Sequence, residues 1–144
     1  MSETGVGVFD RTLQETNAWM KEIGATVGPE EHLQYRALRS VLLALRDRLA
    51  VEDAFHLSAT LPLLVRGIFW ESYRAVGKPE DYSTREAFLE RVSSHLEPGP
   101  PLDPEQVARA VFTALLRHIP HGEVEHIRQL LPDEVEEMFA SSGI

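Results

Sequence analysis

The stretch that decides the fold is Ala37-Leu38-Arg39-Ser40-Val41-Leu42-Leu43-Ala44-Leu45-Arg46-Asp47-Arg48-Leu49. Leu38, Val41, Leu42, Leu45 and Leu49 fall at spacings of three and four, which puts them on one face of an α-helix. At an offset of 70 residues, Ala108, Val111, Phe112, Leu115 and Ile119 take the same places. The match continues without a gap. Ala54, Leu57 and Leu61 fall on Val124, Ile127 and Leu131, and Val65, Ile68 and Phe69 fall on Val135, Met138 and Phe139. Helical periodicity alone accounts for the aliphatic matches. It does not account for His56 meeting His126, or for Leu61-Pro62 meeting Leu131-Pro132. Those point to a repeated unit.

The expectation is therefore all-α: a tandem repeat of two four-helix units packed about a pseudo-twofold axis, about eight helices in all. Copy one spans 1–76, a linker 77–82, and copy two 83–144. Each copy alone is marginal in size for a stable core, so the two are expected to share one. The first helices match at an offset of 69, with Trp19-Met20 and Ile23 against Phe88-Leu89 and Val92.

Working outward, Phe9, Leu13, Thr16, Met20 and Ile23 form the expected inward face of a first helix ending at Gly24. Thr60-Leu61-Pro62 is a break and restart, because proline fits a first helical turn and not the interior. The helix after it is expected to run from Leu63 to Val76, with Leu64, Val65, Ile68 and Phe69 as its core stripe. Gly77 to Tyr82 reads as linker. Ser83 or Thr84 then has the form of an N-cap, and Asp103-Pro104 that of an N-cap followed by proline at N1.

Composition bounds the function. The 144 residues carry 14 Lys and Arg against 23 Asp and Glu, a net charge of −9. That excludes nucleic-acid binding through global charge. There is no cysteine, hence no disulfide, zinc-thiolate or thiol catalysis. Met1 to Gly7 lack the form of a signal peptide, and the apolar run Leu61–Trp70 is about half a membrane span, so no membrane and a cytoplasmic location are expected. Nine of the basic residues lie between Met1 and Asp81, so the two halves are not equally acidic.

Four features bear on chemistry. His118, His121 and His126 are interleaved with Glu123 and Glu125, which suits zinc, iron or nickel by ligand type. The spacing from His121 to His126 is wrong for one helix face, and Pro120 and Gly122 mark a turn. The favoured role is structural, with no metal and no cofactor. Arg36, Arg39 and Arg46 fall within about 80° of one another on a helix, at about 100° per residue. With Arg66 they offer an anion site, against which stands internal pairing with Asp47, Glu52, Asp53 or Glu71. Trp70 and Tyr73 flank the same region and line either a pocket or packed interior. Arg66 and Glu136 hold equivalent positions with opposite charge, which suggests complementarity across the pseudo-dyad. Neither a nucleophile elbow nor a glycine-rich phosphate loop occurs, and Gly5-Val6-Gly7 follows no strand.

The run Ala37–Leu49 quoted above, Glu52-Asp53-Ala54-Phe55-His56-Leu57 and Leu61–Ile68 resemble the bacterial domain-of-unknown-function family 2267. So do Phe88–Val92, Gly122-Glu123 and Arg128-Gln129-Leu130-Leu131-Pro132-Asp133-Glu134, with Trp19 closing the first helix. The resemblance implies a small all-helical cytoplasmic protein and brings no catalytic residues. The function expected from the residues is a non-enzymatic helical module working by protein–protein contact or self-association. The alternative is a small-molecule or anion-binding protein with a pocket between the copies, lined by Arg46, Arg66, Trp70 and Tyr73.

Overall fold

The computed structural model describes residues 4–142; Met1, Ser2 and Glu3 of the polar start lie outside that range. It contains eight helices: α1 Gly7–Val27, α2 Glu31–Arg48, α3 Val51–Ala59, α4 Leu63–Phe69, α5 Arg85–Leu96, α6 Pro104–His118, α7 His121–Leu130 and α8 Asp133–Ser141. No strand occurs among the described residues. None of these helices is long and apolar enough to cross a membrane.

Several backbone features recur 70 residues apart. α2 and α6 end at Arg48 and His118, and the residues that follow have nearly the same dihedrals: φ −94°, ψ 149° at Leu49 and φ −93°, ψ 154° at Ile119. α3 and α7 start at Val51 and His121, and α4 and α8 start one residue after Pro62 and Pro132. Both prolines have φ −55°, with ψ 151° and 147°, because proline at a helix start costs no hydrogen bond and pre-sets φ.

Neighbour relations repeat as well. α1 packs on α2 and α5 on α6; α1 packs on α6 and α2 on α5. α4 touches α1, α2 and α3, while α8 touches α5, α6 and α7. α2 meets α6, and α3 meets α7. One contiguous apolar core runs from Trp19 and Ile23 through Leu38, Leu42, Phe69 and Phe88 to Phe112 and Phe139. The rings of Phe88, Phe112 and Phe139 form a chain with centroid spacings of 5.8 and 4.7 Å.

Three elements differ from the sequence expectation. α1 passes through Gly24 and ends before Gly28, whose φ of +112° only glycine takes readily. Gly24 lies inside the helix with Gln34 against it; a Cβ there would strike the Gln34 amide, which donates to Gly28 O. The buried face of α1 is Thr12, Thr16, Trp19 and Ile23, with Phe9 49% exposed, so the apolar stripe is rotated from the one expected. α4 stops at Phe69, not Val76. The guanidinium of Arg46 captures Phe69 O at 2.9 Å and Glu71 O through the same nitrogen, Nη1, at 2.6 Å, which satisfies carbonyls that another helical turn would need. The segment from Trp70 to Thr84 is consequently a strap, longer than the expected linker. Glu80 N–H donates to Asp47 O at 2.8 Å and ties it to the end of α2.

Candidate functional site

The α2 residues Arg36, Arg39 and Arg46 share a helix face but take different partners. Arg36 reaches the end of α5, donating from Nε and Nη2 to Leu96 O and from Nη2 to Pro100 O. Arg39 pairs with Glu71 at 3.3 Å. Arg46 is 3% exposed and pairs with Asp47 at 2.8 Å. Internal pairing therefore takes up much of their charge, as the acidic composition allows.

Arg46, Trp70 and Tyr73 are brought together. The Arg46 guanidinium lies 5.1 Å from the Tyr73 ring centre, and the Tyr73 ring meets Trp70 edge-on at 5.0 Å. Trp70 in turn leans on Phe55, with ring centres 4.8 Å apart. Burial, reinforced by the negative charge of Asp47, holds the Tyr73 hydroxyl above its ordinary pKa, and Arg46 partly opposes this. The hydroxyl is buried and without a hydrogen-bond partner.

Arg66 is not part of that group. It donates to Ser58 O and Leu61 O, both at 3.0 Å, and so locks α3 to α4. Glu136, 70 residues further on, pairs with Arg128 at 2.8 Å and ties α7 to α8. Ser58 and Arg128 are equivalent positions, so the basic partner sits on α4 in one copy and on α7 in the other. The opposite charges at 66 and 136 are used within each copy, which replaces the suggested attraction across the pseudo-dyad.

The three histidines separate. His118 stacks on Trp19 with ring centres 5.0 Å apart and meets Glu22 at 2.8 Å. His121 opens α7 and is exposed. His126 meets Asp53 at 3.4 Å and the ring of its repeat equivalent His56 at 6.1 Å. No three metal-ligating side chains converge among the described residues.

Two features escaped the sequence reading. The first is an apolar surface on α3 and α4, where Phe55 is 59% exposed, Leu63 47% and Leu64 40%. The stripe reading had put Leu64 inside. The second is a recess of about 300 Å³ between α2, α5 and the strap, where Arg39 and Arg46 meet Arg74 and Lys78. Its only signal was Lys78 in the expected linker 77–82, since Arg74 fell in the helix expected to run to Val76. Burial is the main force holding the His95 imidazole beside it below the ordinary pKa, with Asp47 opposing.

No curated protein matches this chain. Residues 16–138, from the middle of α1 to near the end of α8, match the family model described as "Uncharacterized conserved protein (DUF2267)", and the chain belongs to that family.

Proposed function

We propose that the chain is a non-catalytic protein-interaction module that docks through the apolar surface of α3 and α4. One observation carries the reading: the molecule contains its own control for that surface. Residues 61–70 and 131–140 show the same order of buried and exposed positions, with Leu61, Val65, Ile68 and Phe69 buried in one, and Leu131, Val135, Met138 and Phe139 in the other. At the exposed positions copy two has Asp133, Glu134 and Glu137, the solvated choice for an outward face, with the first two also suited to a first helical turn. Copy one has Leu63, Leu64 and Gly67 in the same places. On the preceding helix, Phe55 and Ala59 stand where copy two has Glu125 and Gln129. The fold accepts polar residues at all these sites, four of them acidic, so the apolar ones answer to something outside the fold.

The occupant this surface suits is an amphipathic helix of another protein with basic flanks. Glu52 and Phe55 line one shallow recess on α3, and Glu71 is exposed at the end of α4. Self-association would bring together two chains of charge −9. The symmetric neighbour relations support a pseudo-twofold arrangement of copies 1–76 and 83–144, in which copy one has kept a contact face and copy two a solvated one.

Trp70 is half-buried against Phe55 and reports on the surface, while Trp19 is enclosed in the core. The test titrates the chain with a synthetic Leu/Lys amphipathic helical peptide and follows tryptophan emission. A saturable blue shift is expected, and is lost in Leu63→Asp/Leu64→Glu, which imports copy two's residues. An absent shift, or an equal one in the variant, overturns the reading. A concentration-dependent dimer in sedimentation equilibrium that the variant abolishes would replace the foreign partner with a second copy.

A further inference from the structure

The recess between α2, α5 and the strap has more positive charge than the fold uses. Arg39, Arg46, Arg74 and Lys78 line it. Asp47 and Glu71 answer Arg46 and Arg39. Glu80 stands 3.9 Å from Lys78 but lies closer, at 2.9 Å, to Arg91. Arg74 has no ion-pair partner among the described residues. Counting Arg91, five cations face three carboxylates in a protein of net charge −9.

Arg46 is also incompletely satisfied. Its Nε serves Asp47 and its Nη1 serves the two carbonyls at the end of α4. Its Nη2 makes no hydrogen bond within the described chain and is not sealed from solvent, and the side chain lines the recess. Ser72, on the same wall, has φ +55°, the left-handed region that non-glycine residues rarely occupy.

Copy two again supplies the comparison. A groove between α1 and α6, lined by Thr26, Arg109, Thr113 and Arg117, lies where the repeat places the counterpart of this recess. There Leu116 takes the position of Arg46 and α8 runs on to Ser141, so the arginine goes with the early end of α4 rather than with the packing of the long helices. Ser72, Arg74 and Lys78 all come to the α2–α5 recess from the strap.

We propose that this recess binds a small phosphate dianion, free or as a monoester. Arg46 Nη2, Arg74 and Lys78 supply charge-assisted hydrogen bonds and the Ser72 hydroxyl a neutral one. A doubly negative oxyanion matches the excess of two positive charges. A volume of about 300 Å³ is at the small end of ligand pockets and leaves room beside a phosphate for a modest substituent.

Inorganic phosphate is titrated into the full chain, read by calorimetry and by amide NMR shifts of residues 70–80. Saturable binding is expected, with Arg74→Ala weakening it about tenfold, the equivalent of one charge-assisted contact. Arg46→Leu, the copy-two residue, should abolish it. Arg74 is exposed, so its variant keeps the fold even if Arg46→Leu does not. Arg117→Ala, in the counterpart groove, leaves binding unchanged. No saturable binding at millimolar phosphate, or the same affinity in an Arg74→Ala/Lys78→Ala double variant, overturns the proposal. A monoester that binds more tightly than inorganic phosphate would assign the remaining space to a substituent. None of these variants touches Leu63 or Leu64, so this result and the peptide titration fail or succeed separately.

Discussion

Tyr82 lies between two guanidinium groups, 4.1 Å from Arg91 and 5.5 Å from Arg48, and its own hydroxyl is buried without a partner. Burial raises its pKa strongly, against the pull of Arg91 and Arg48. The unfolded chain loses this proton near the ordinary value of 10.0 while the folded chain keeps it, so stability falls as pH rises past that value. Tyr82→Phe retains the ring and deletes the unpartnered hydroxyl. It should leave stability at neutral pH unchanged or raise it by up to about 1 kcal/mol, and should blunt the alkaline loss. Urea midpoints across pH would show this. His95 acts at the other end. Burial lowers its pKa from 6.5, so below that value the unfolded state binds the proton more readily and stability declines as pH falls. His95→Gln should flatten that part of the acid limb, and an unchanged slope would count against the assignment.

Helix ends show how much of each element was legible. Thr84 accepts from Ala87 N–H at 3.1 Å, and Asp103 from Glu105 N–H at 3.0 Å, both as N-caps. These signals are local, so the residues alone reveal them. Thr84→Ala and Asp103→Ala should each lower unfolding free energy by about 1 kcal/mol in denaturant titration. The ends of α4 and α5 are different. Arg46 ends α4 from 23 residues away, and Arg36 holds the end of α5 from 60 residues away. No periodicity encodes such a contact, and this is why α4 reads as too long in the sequence. Gly99 is part of the α5 arrangement: at φ +143°, a Cβ on it would lie 2.7 Å from Arg36 Cζ. Arg36→Ala should cost about 3 kcal/mol, because it strips charge-assisted bonds from buried carbonyls. Loss below about 0.5 kcal/mol would mean that water replaces the guanidinium without penalty.

At the scale of the whole molecule, the all-helical class and the helix count were readable because both depend on periodic burial. The apolar character of α4 was readable, but not that Leu63 and Leu64 face out, and the cationic recess was not readable because it depends on where the strap and the neighbouring helices close. The shared core makes a further prediction. With α1 against α6 and α2 against α5, neither copy encloses its own apolar face. Fragments 1–76 and 83–144 should be largely unfolded apart and regain helical circular dichroism when mixed. Cooperative thermal melting of either fragment alone would show that the copies are independent units.

The same crossed pairing sets an order of events during synthesis. α1 and α2 leave the ribosome long before α5 and α6, the helices that cover them, have been made. At about 5–20 residues per second, the first half waits several seconds with its leucine face open to water and to other chains. A chain cut short after copy one would never lose that exposure, and so would offer chaperones and proteases a direct sign that translation had not finished.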